Sequence, residues 1–290
     1  RLQKTQLINI KMRKYIIRLS SMLYGKNTRI TEAFLKNYWR KHIKSRHSFR
    51  EIDLIIKFLD TINKNNGVLI DVGAHIGGWF ESFLNKEWMI YAFEPDPDPV
   101  KVNKLKMLSE LENVFYYNNA CSNKSGEILP FFASNESTGI SSLHSFHSTH
   151  KLVGEVSTIT LSEFIHEEKI EDVRILKIDT EGHDLFVLEG FPWGRIKPTI
   201  IYCEFEDRKT QSLGYDYKKL GDYLLSKGYR VFVSEWYPVI KYGENHIWRK
   251  IDSYPCELEN PQATGNFICI DKEIWNEKYS NLFTDFQVKS

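Results

Sequence analysis

Val68-Leu69-Ile70-Asp71-Val72-Gly73-Ala74-His75-Ile76-Gly77-Gly78, followed by Trp79-Phe80, is the stretch on which the fold turns. A short apolar run carrying one acid and ending in glycine reads as a buried strand with a sharp exit. Gly73 lets the chain turn off that strand, and Gly77 or Gly78 is expected to let the backbone approach a ligand closely. A helix is expected to open at Trp79-Phe80, its free amino end favouring an anionic group such as a carboxylate. From Gly73 to Gly77 the spacing is G-x-x-x-G, which differs from the G-x-G-x-x-G that packs a pyrophosphate. Asp71, inside the strand end, is placed to meet an ammonium group and to repel phosphate. Alone, this turn indicates a nucleoside cofactor and leaves nicotinamide dehydrogenases in play.

Working outward, further short apolar runs occur at Met89 to Phe93, Val114 to Tyr117, Ile175 to Ile178 and Ile200 to Phe205, separated by helix-like segments. Continuous runs of this length suit parallel strands buried on both faces. Their alternation with helices predicts a doubly wound α/β sheet with ligands beyond the carboxyl ends of its strands. Arg230 to Trp236 and Asn266 to Ile270 read as two last strands in an antiparallel pair, for seven strands in all. Between Gly126 and Thr160 the text is loose and rich in Ser, Thr and His, as expected of an inserted hairpin and loop near the active face. Glu51 to Ile62 repeats Ile52, Ile55, Ile56 and Leu59 at helical spacing before Asn65-Asn66-Gly67. The chain thus divides into a basic helical extension, 1–62, and an α/β domain, 63–290.

Charge is distributed unevenly along the 290 residues, whose net charge is only +1. The first 50 residues hold 14 Lys/Arg and one acid, Glu32, and carry +13; the rest carries −12. Such a segment suits an anionic membrane surface, a nucleic acid or an acidic partner, or docking on the chain's own acidic body. No apolar run is long enough for a conventional membrane-spanning helix. Cys121, Cys203, Cys256 and Cys269 lack metal-type spacing, which fits buried thiols in a reducing, cytoplasmic setting, with peripheral membrane contact as a corollary of the basic segment. No secretory signal is visible, and the opening Arg1 suggests a fragment or a trimmed chain.

The second strand ends at Glu94, 21 residues beyond Gly73, where a carboxylate can accept hydrogen bonds from a ribose diol. Pro95, Pro97 and Pro99 stiffen the loop that follows. Together, Asp71 to Gly77 (DVGAHIG), Phe93-Glu94-Pro95, Asn119-Ala120, Leu176 to Gly190 (LKIDTEGHDLFVLEG) and the strand bearing Glu204 resemble the FkbM family of methyltransferases, in the family's order, from Gly67 to about Asp207. The resemblance implies a class I methyltransferase fold that binds S-adenosylmethionine and methylates an oxygen, often on a sugar or polyketide. It places Asp71, Gly73, Ala74, His75 and Gly77 along the cofactor with Asp179, Glu94 and Pro95 at the ribose, and Asn119 and Ala120 near the adenine. His75 departs from the family, which more often has Asn there.

Read on its own residues, Lys177 to Asp184 ends a buried strand at Asp179, turns at Gly182 and starts a helix at Leu185. Asp179, Glu181 and His183 are thereby brought to the cleft mouth. Aligning a nucleophile behind a sulfonium methyl can by itself supply up to ~7–11 kcal/mol, and a base for a hydroxyl proton a further ~10²–10⁴-fold. His183 is the candidate base; its other reading is a structural imidazole tying the turn to a helix end. Glu204 is expected to face Asp179 from the next strand. The pair either holds magnesium with waters, the less favoured reading, or hydrogen-bonds acceptor hydroxyls or the cofactor ammonium.

The closely spaced His144, His147 and His150 lie in a Ser-rich loop without cysteines, which argues against zinc. Pro255-Cys256 lies outside the cofactor strands, and no Pro-Pro pair exists for the motif of base amino-group methylation. The function read from these features is O-methylation of a small-molecule or glycan acceptor. RNA methylation is the alternative suggested by the +13 segment and opposed by the acidic body, so nucleic acid is the less favoured partner. A membrane- or partner-docked nucleoside-binding domain is the non-catalytic alternative.

Overall fold

The computed structural model describes residues 49–84, 87–239, 241–243 and 246–284. The basic helices expected before Phe49, and the membrane or nucleic-acid contacts attached to them, lie outside the described residues.

Eleven strands follow one another: β1 Gly67–Val72, β2 Trp88–Phe93, β3 Val114–Tyr117, β4 Ala120–Cys121, β5 Ile128–Ser134, β6 His150–Ile159, β7 Ile175–Ile178, β8 Ile200–Glu206, β9 Tyr229–Trp236, β10 Trp248–Ser253 and β11 Thr264–Asp271. Eight of them form the main sheet in the order β10-β9-β11-β8-β7-β1-β2-β3. β3, β2, β1, β7 and β8 run parallel. β11 inserts antiparallel between β8 and β9, as the sequence leads one to expect of the last two strands. The expected count of seven is one short, because β10 adds an antiparallel edge to β9. Its sequence, Trp-Arg-Lys-Ile-Asp-Ser, is mostly polar, as suits an edge strand, and carries no continuous apolar run.

Helices α1 Glu51–Thr61, α2 Pro99–Leu108, α3 Leu161–Glu167, α4 Asp184–Glu189, α5 Asp207–Thr210, α6 Tyr217–Ser226 and α7 Ser280–Thr284 cover the sheet. Strand alternation sends Leu69, Ile90, Ile175 and Ile200 to one face, against Phe58 of α1, Leu105 of α2 and Phe283 of α7. Ile70, Phe93, Leu176 and Ile201 go to the other, against Phe164 of α3, Leu188 of α4 and Leu224 of α6. Among the described residues no helix is long and apolar enough to cross a membrane.

α1 belongs to this core. Leu54, Ile55, Phe58 and Leu59 are buried, contributing about 1.5–3 kcal/mol each. Glu51 at its start is buried too, its carboxylate accepting from Tyr202 Oη (2.6 Å), Trp236 Nε1 (2.8 Å) and Asn266 Nδ2 (3.0 Å). Packing therefore continues without a break across the boundary drawn at residue 62.

The segment after β1 departs from expectation. It forms only a short 3₁₀ turn, Phe80–Phe83. Its aromatic residues lie against the sheet face, with Trp79 5.4 Å from Tyr202 and Phe83 4.9 Å from Trp88 between ring centroids. Among the described residues no long helix aims its amino end at the turn, and the anion-binding argument finds no support there. The inserted region is a hairpin, β5 paired with β6, whose other edge carries β4. Between its strands, residues 138–144 run as a strap back toward the sheet.

Candidate active site

A cleft of about 230 Å³ opens at the carboxyl ends of β1, β2 and β7. The strand ends supply Val72, Gly73, Phe93, Glu94 and Asp179; Asn119 to Cys121 form a second wall, and Phe131, Ser141 and Ser142 of the insertion close the top.

The loop beyond β1 is shaped from within. Both Gly73 and Ala74 N–H groups donate to the Phe93 carbonyl (2.9 Å each), bending the chain toward β2. Gly73 has φ +79°, and a Cβ there would stand 1.8 Å from the Asp179 carbonyl oxygen, so only glycine lets the ends of β1 and β7 approach this closely. His75 adopts φ +54°, a left-handed conformation that Asn and His tolerate better than most residues. This accounts for histidine where the family more often has asparagine. Its amide donates to Glu94 Oε2 (2.7 Å), and the Asp96 amide donates to Oε1 (3.0 Å). Glu94 is 6% exposed. Burial raises the pKa of its carboxyl; the nearby Lys101 ammonium and the two amides oppose that. Each oxygen keeps a lone pair for a further donor.

Three residues assigned to the cofactor lie off the cleft wall. Asp71 is 0% exposed, and the ammonium it meets is that of Lys177, at 2.9 Å. Lys177 also donates to the Gly73 carbonyl (2.5 Å) and stands 3.7 Å from Asp179. Ala74 is buried in the core. Gly77 packs where a Cβ would stand 2.6 Å from Leu108 and 2.8 Å from Phe80. Gly73, His75, Glu94, Pro95, Asn119, Ala120 and Asp179 do line the cleft, with the Asn119 amide donating to Ser157 Oγ (2.9 Å).

The block after β7 delivers Asp179, Glu181 and His183 to the cleft together. Asp184, the first residue of α4, accepts from the Thr180 (3.3 Å) and Gly182 (3.2 Å) amides and fixes the turn between them. Burial, with help from Asp179, pushes its carboxyl up to about 6. His183 stacks on Phe186 at 4.6 Å and shares a 3.0 Å hydrogen bond with Ser122 Oγ. Burial lowers its imidazole to about 4, so it is neutral at physiological pH.

Glu204 lies behind the cleft wall. It meets Glu181 through a buried lysine, Lys209, whose Nζ is 2.6 Å from Glu181 and 2.8 Å from each Glu204 oxygen. Burial raises both glutamates above the usual carboxylate range, against the pull of Lys209. Asp179, Glu181 and Glu204 place carboxylate oxygens within 4.8 Å of one another. The expected pair is therefore a trio. His144 is engaged elsewhere, its Nε2 2.7 Å from the Lys209 carbonyl oxygen, and among the described residues the loop histidines form no metal-binding group.

Lys177, Lys209 and Ser122 were not singled out from sequence. A lysine inside the apolar run Ile-Leu-Lys-Ile is itself a signal, since a buried ammonium requires a carboxylate partner. Lys209 follows the last resembling segment and carries no local signature.

Sheet order, the reversed strand β11 and a cleft at the carboxyl edge define a class I methyltransferase fold. The family described as the methyltransferase FkbM domain matches residues 71–231, more than half of the chain. The chain belongs to this family. It is 28% identical over 172 residues to the hexuronic acid methyltransferase AglP of Haloferax volcanii, covering 57% of this chain and 65% of that protein. Among solved structures it is similar to an rRNA methylase from Streptococcus thermophilus (12% identity, 77% of this chain and 98% of that one, TM-score 0.40). It is also similar to a precorrin-6y C5,15-methyltransferase from Geobacter metallireducens (14%, 70% and 80%, TM-score 0.35).

Proposed function

We propose that this methyltransferase uses S-adenosylmethionine to methylate a hydroxyl of a saccharide or similar polyhydroxylated acceptor. The observation that carries the cofactor is Glu94: a buried carboxylate at the end of β2, oriented by two backbone amides, with acceptor capacity left toward the cleft. The residues present fit the group. The buried Thr180 hydroxyl, on a residue lining the cleft, lacks a protein partner and suits a polar ligand atom.

When bound, S-adenosylmethionine supplies a sulfonium methyl that an acceptor oxygen displaces in line, the C–S electron pair staying on sulfur. Glu94 receives the ribose hydroxyls, with Asn119 and Ala120 beside the base. Asp179 and Gly73, at the adjoining strand ends, hold the amino-acid end. Asp71 acts through Lys177, fixing the Gly73 carbonyl and steadying Asp179. His183 takes the acceptor's hydroxyl proton. Its burial keeps it unprotonated throughout the neutral range, while making it a weaker base than a free imidazole. The saccharide assignment draws on the similarity to AglP, and a cleft mouth lined by carboxylates suits several hydroxyl donors. Calorimetry with S-adenosylmethionine and S-adenosylhomocysteine, followed by transfer of labelled methyl to a panel of uronic acid and neutral glycans, tests the proposal. Absence of cofactor binding would sink it; binding with label reaching only non-hydroxyl acceptors would overturn the acceptor class.

A further inference from the structure

Lys209 is 2% exposed by its side chain and surrounded by acids. Its Nζ reaches Glu181 (2.6 Å), both oxygens of Glu204 (2.8 Å) and Glu206 (3.1 Å). Both Glu204 oxygens accept hydrogen bonds from the ammonium, whereas Glu181 and Glu206 meet it as close ion pairs. Two of these, Glu181 and Glu204, belong with Asp179 to the trio whose oxygens converge as metal ligands do.

We propose that the Lys209 ammonium takes the place of a divalent cation between Glu181 and Glu204, positioning Glu181 at the cleft for the acceptor hydroxyls and making the transfer metal-independent. The proposal rests on the methyl-transfer reading above. The contacts to Glu204 and Glu206, at 2.8–3.1 Å, are those of an ammonium, longer than the roughly 2.0–2.6 Å of magnesium or calcium to oxygen. The lysine is fixed at both ends. His144 Nε2 engages its backbone carbonyl at 2.7 Å, and the rings of Phe146 and Tyr242 lie 5.9 and 6.0 Å from its Nζ. A divalent ion entering the trio would meet a like charge that has nowhere to retreat. Glu181 also sits in a left-handed backbone conformation, φ +56°, which its lysine bridge and the Ser142 hydroxyl bonded to its carbonyl (3.1 Å) hold in place. Lys209 is thus a positioning residue. It fixes the direction of two carboxylates without touching the reacting atoms.

The test uses Mn²⁺ as probe on the full chain, read by electron paramagnetic resonance and water-proton relaxation. Wild type should show no stoichiometric Mn²⁺ site and should transfer methyl equally with and without EDTA. Lys209→Gln should gain one Mn²⁺ site at least tenfold tighter than any wild-type binding. Its kcat should fall at least tenfold and recover in part on adding Mg²⁺ or Mn²⁺, a rescue that a merely space-filling lysine would not give. A wild-type Mn²⁺ site that disappears in Glu204→Gln would overturn the proposal, as would a folded Lys209→Gln that neither binds Mn²⁺ nor responds to it. If Lys209→Gln does not fold, the wild-type titration decides alone. The metal arms involve no methyl donor, so failure of cofactor binding is read separately.

Discussion

Glu94→Gln separates the two tasks of one carboxylate. In the folded chain each Glu94 oxygen accepts one backbone amide, from His75 at 2.7 Å and from Asp96 at 3.0 Å. Glutamine keeps the shape but has one oxygen and one NH₂, so either a backbone amide or a ribose hydroxyl must face a second donor. Hydrogen bonds to a charged acceptor are worth about 1.5–3 kcal/mol, against about 1 for a neutral one. Losing that difference, with one mismatched contact, weakens cofactor binding by about 1.4–2.8 kcal/mol, or roughly 10–100-fold. Stability should move less. Burial already raises the pKa of this carboxyl, so the fold bears a desolvation penalty that the neutral amide relieves, partly offsetting the mismatched amide. Calorimetric titration with S-adenosylhomocysteine, paired with thermal melts, reads both. Affinity within twofold of wild type would refute the ribose assignment. An affinity loss accompanied by collapse of the melting temperature would refute the claim that loop-holding and ligand-holding are separable.

Gly73→Ala places a Cβ 1.8 Å from the Asp179 carbonyl oxygen at φ +79°; we expect a loss of at least about 3 kcal/mol in urea unfolding, with the melting temperature lowered by roughly 6–12 °C. Unchanged melting would mean that β1 and β7 are not held this closely. Lys177→Met leaves Asp71 buried without its partner and should cost about 3–5 kcal/mol, whereas the double change with Asp71→Asn should recover much of it in a double-mutant cycle. His183 should imprint on the pH dependence of stability. Its folded imidazole titrates near 4 while the unfolded one titrates near 6.5, so the unfolded chain binds the proton first as pH falls. Nothing is lost above about pH 6.5; stability then drops by up to ~3 kcal/mol by pH 4. Subtracting the His183→Asn profile should isolate that slope, and parallel profiles would contradict the burial.

The strands that build the cofactor end were legible because each is a continuous apolar run closed by glycine or an acid: β1 at Gly73, β2 at Glu94, β7 at Asp179. β10 escaped notice because an edge strand with one solvated side needs no such run. A glycine in a loop signals close approach without saying to what, and the protein neighbours of Gly77, Phe80 and Leu108, could not be named from spacing. Asp71 was expected along the cofactor, meeting an ammonium group; the ammonium beside it in the fold is that of Lys177, 106 residues along the chain, in the register that pairs the two. Lys209 was out of reach altogether. Its meaning depends on three acids from the β7 turn and β8 converging in space, which no local spacing encodes.

Glu51 sits on the sheet beside Tyr202, Trp236 and Asn266, and Phe49 rests 4.1 Å from the ring of Trp248. The core consequently reaches at least as far back as Phe49, and the amphipathic helix belongs to it. A chain beginning at Asn63 strips five buried apolar side chains of α1 and the Glu51 clasp from the sheet, and should not hold together. The reach of this core, rather than the change in charge along the chain, limits how far the amino-terminal side can be cut back.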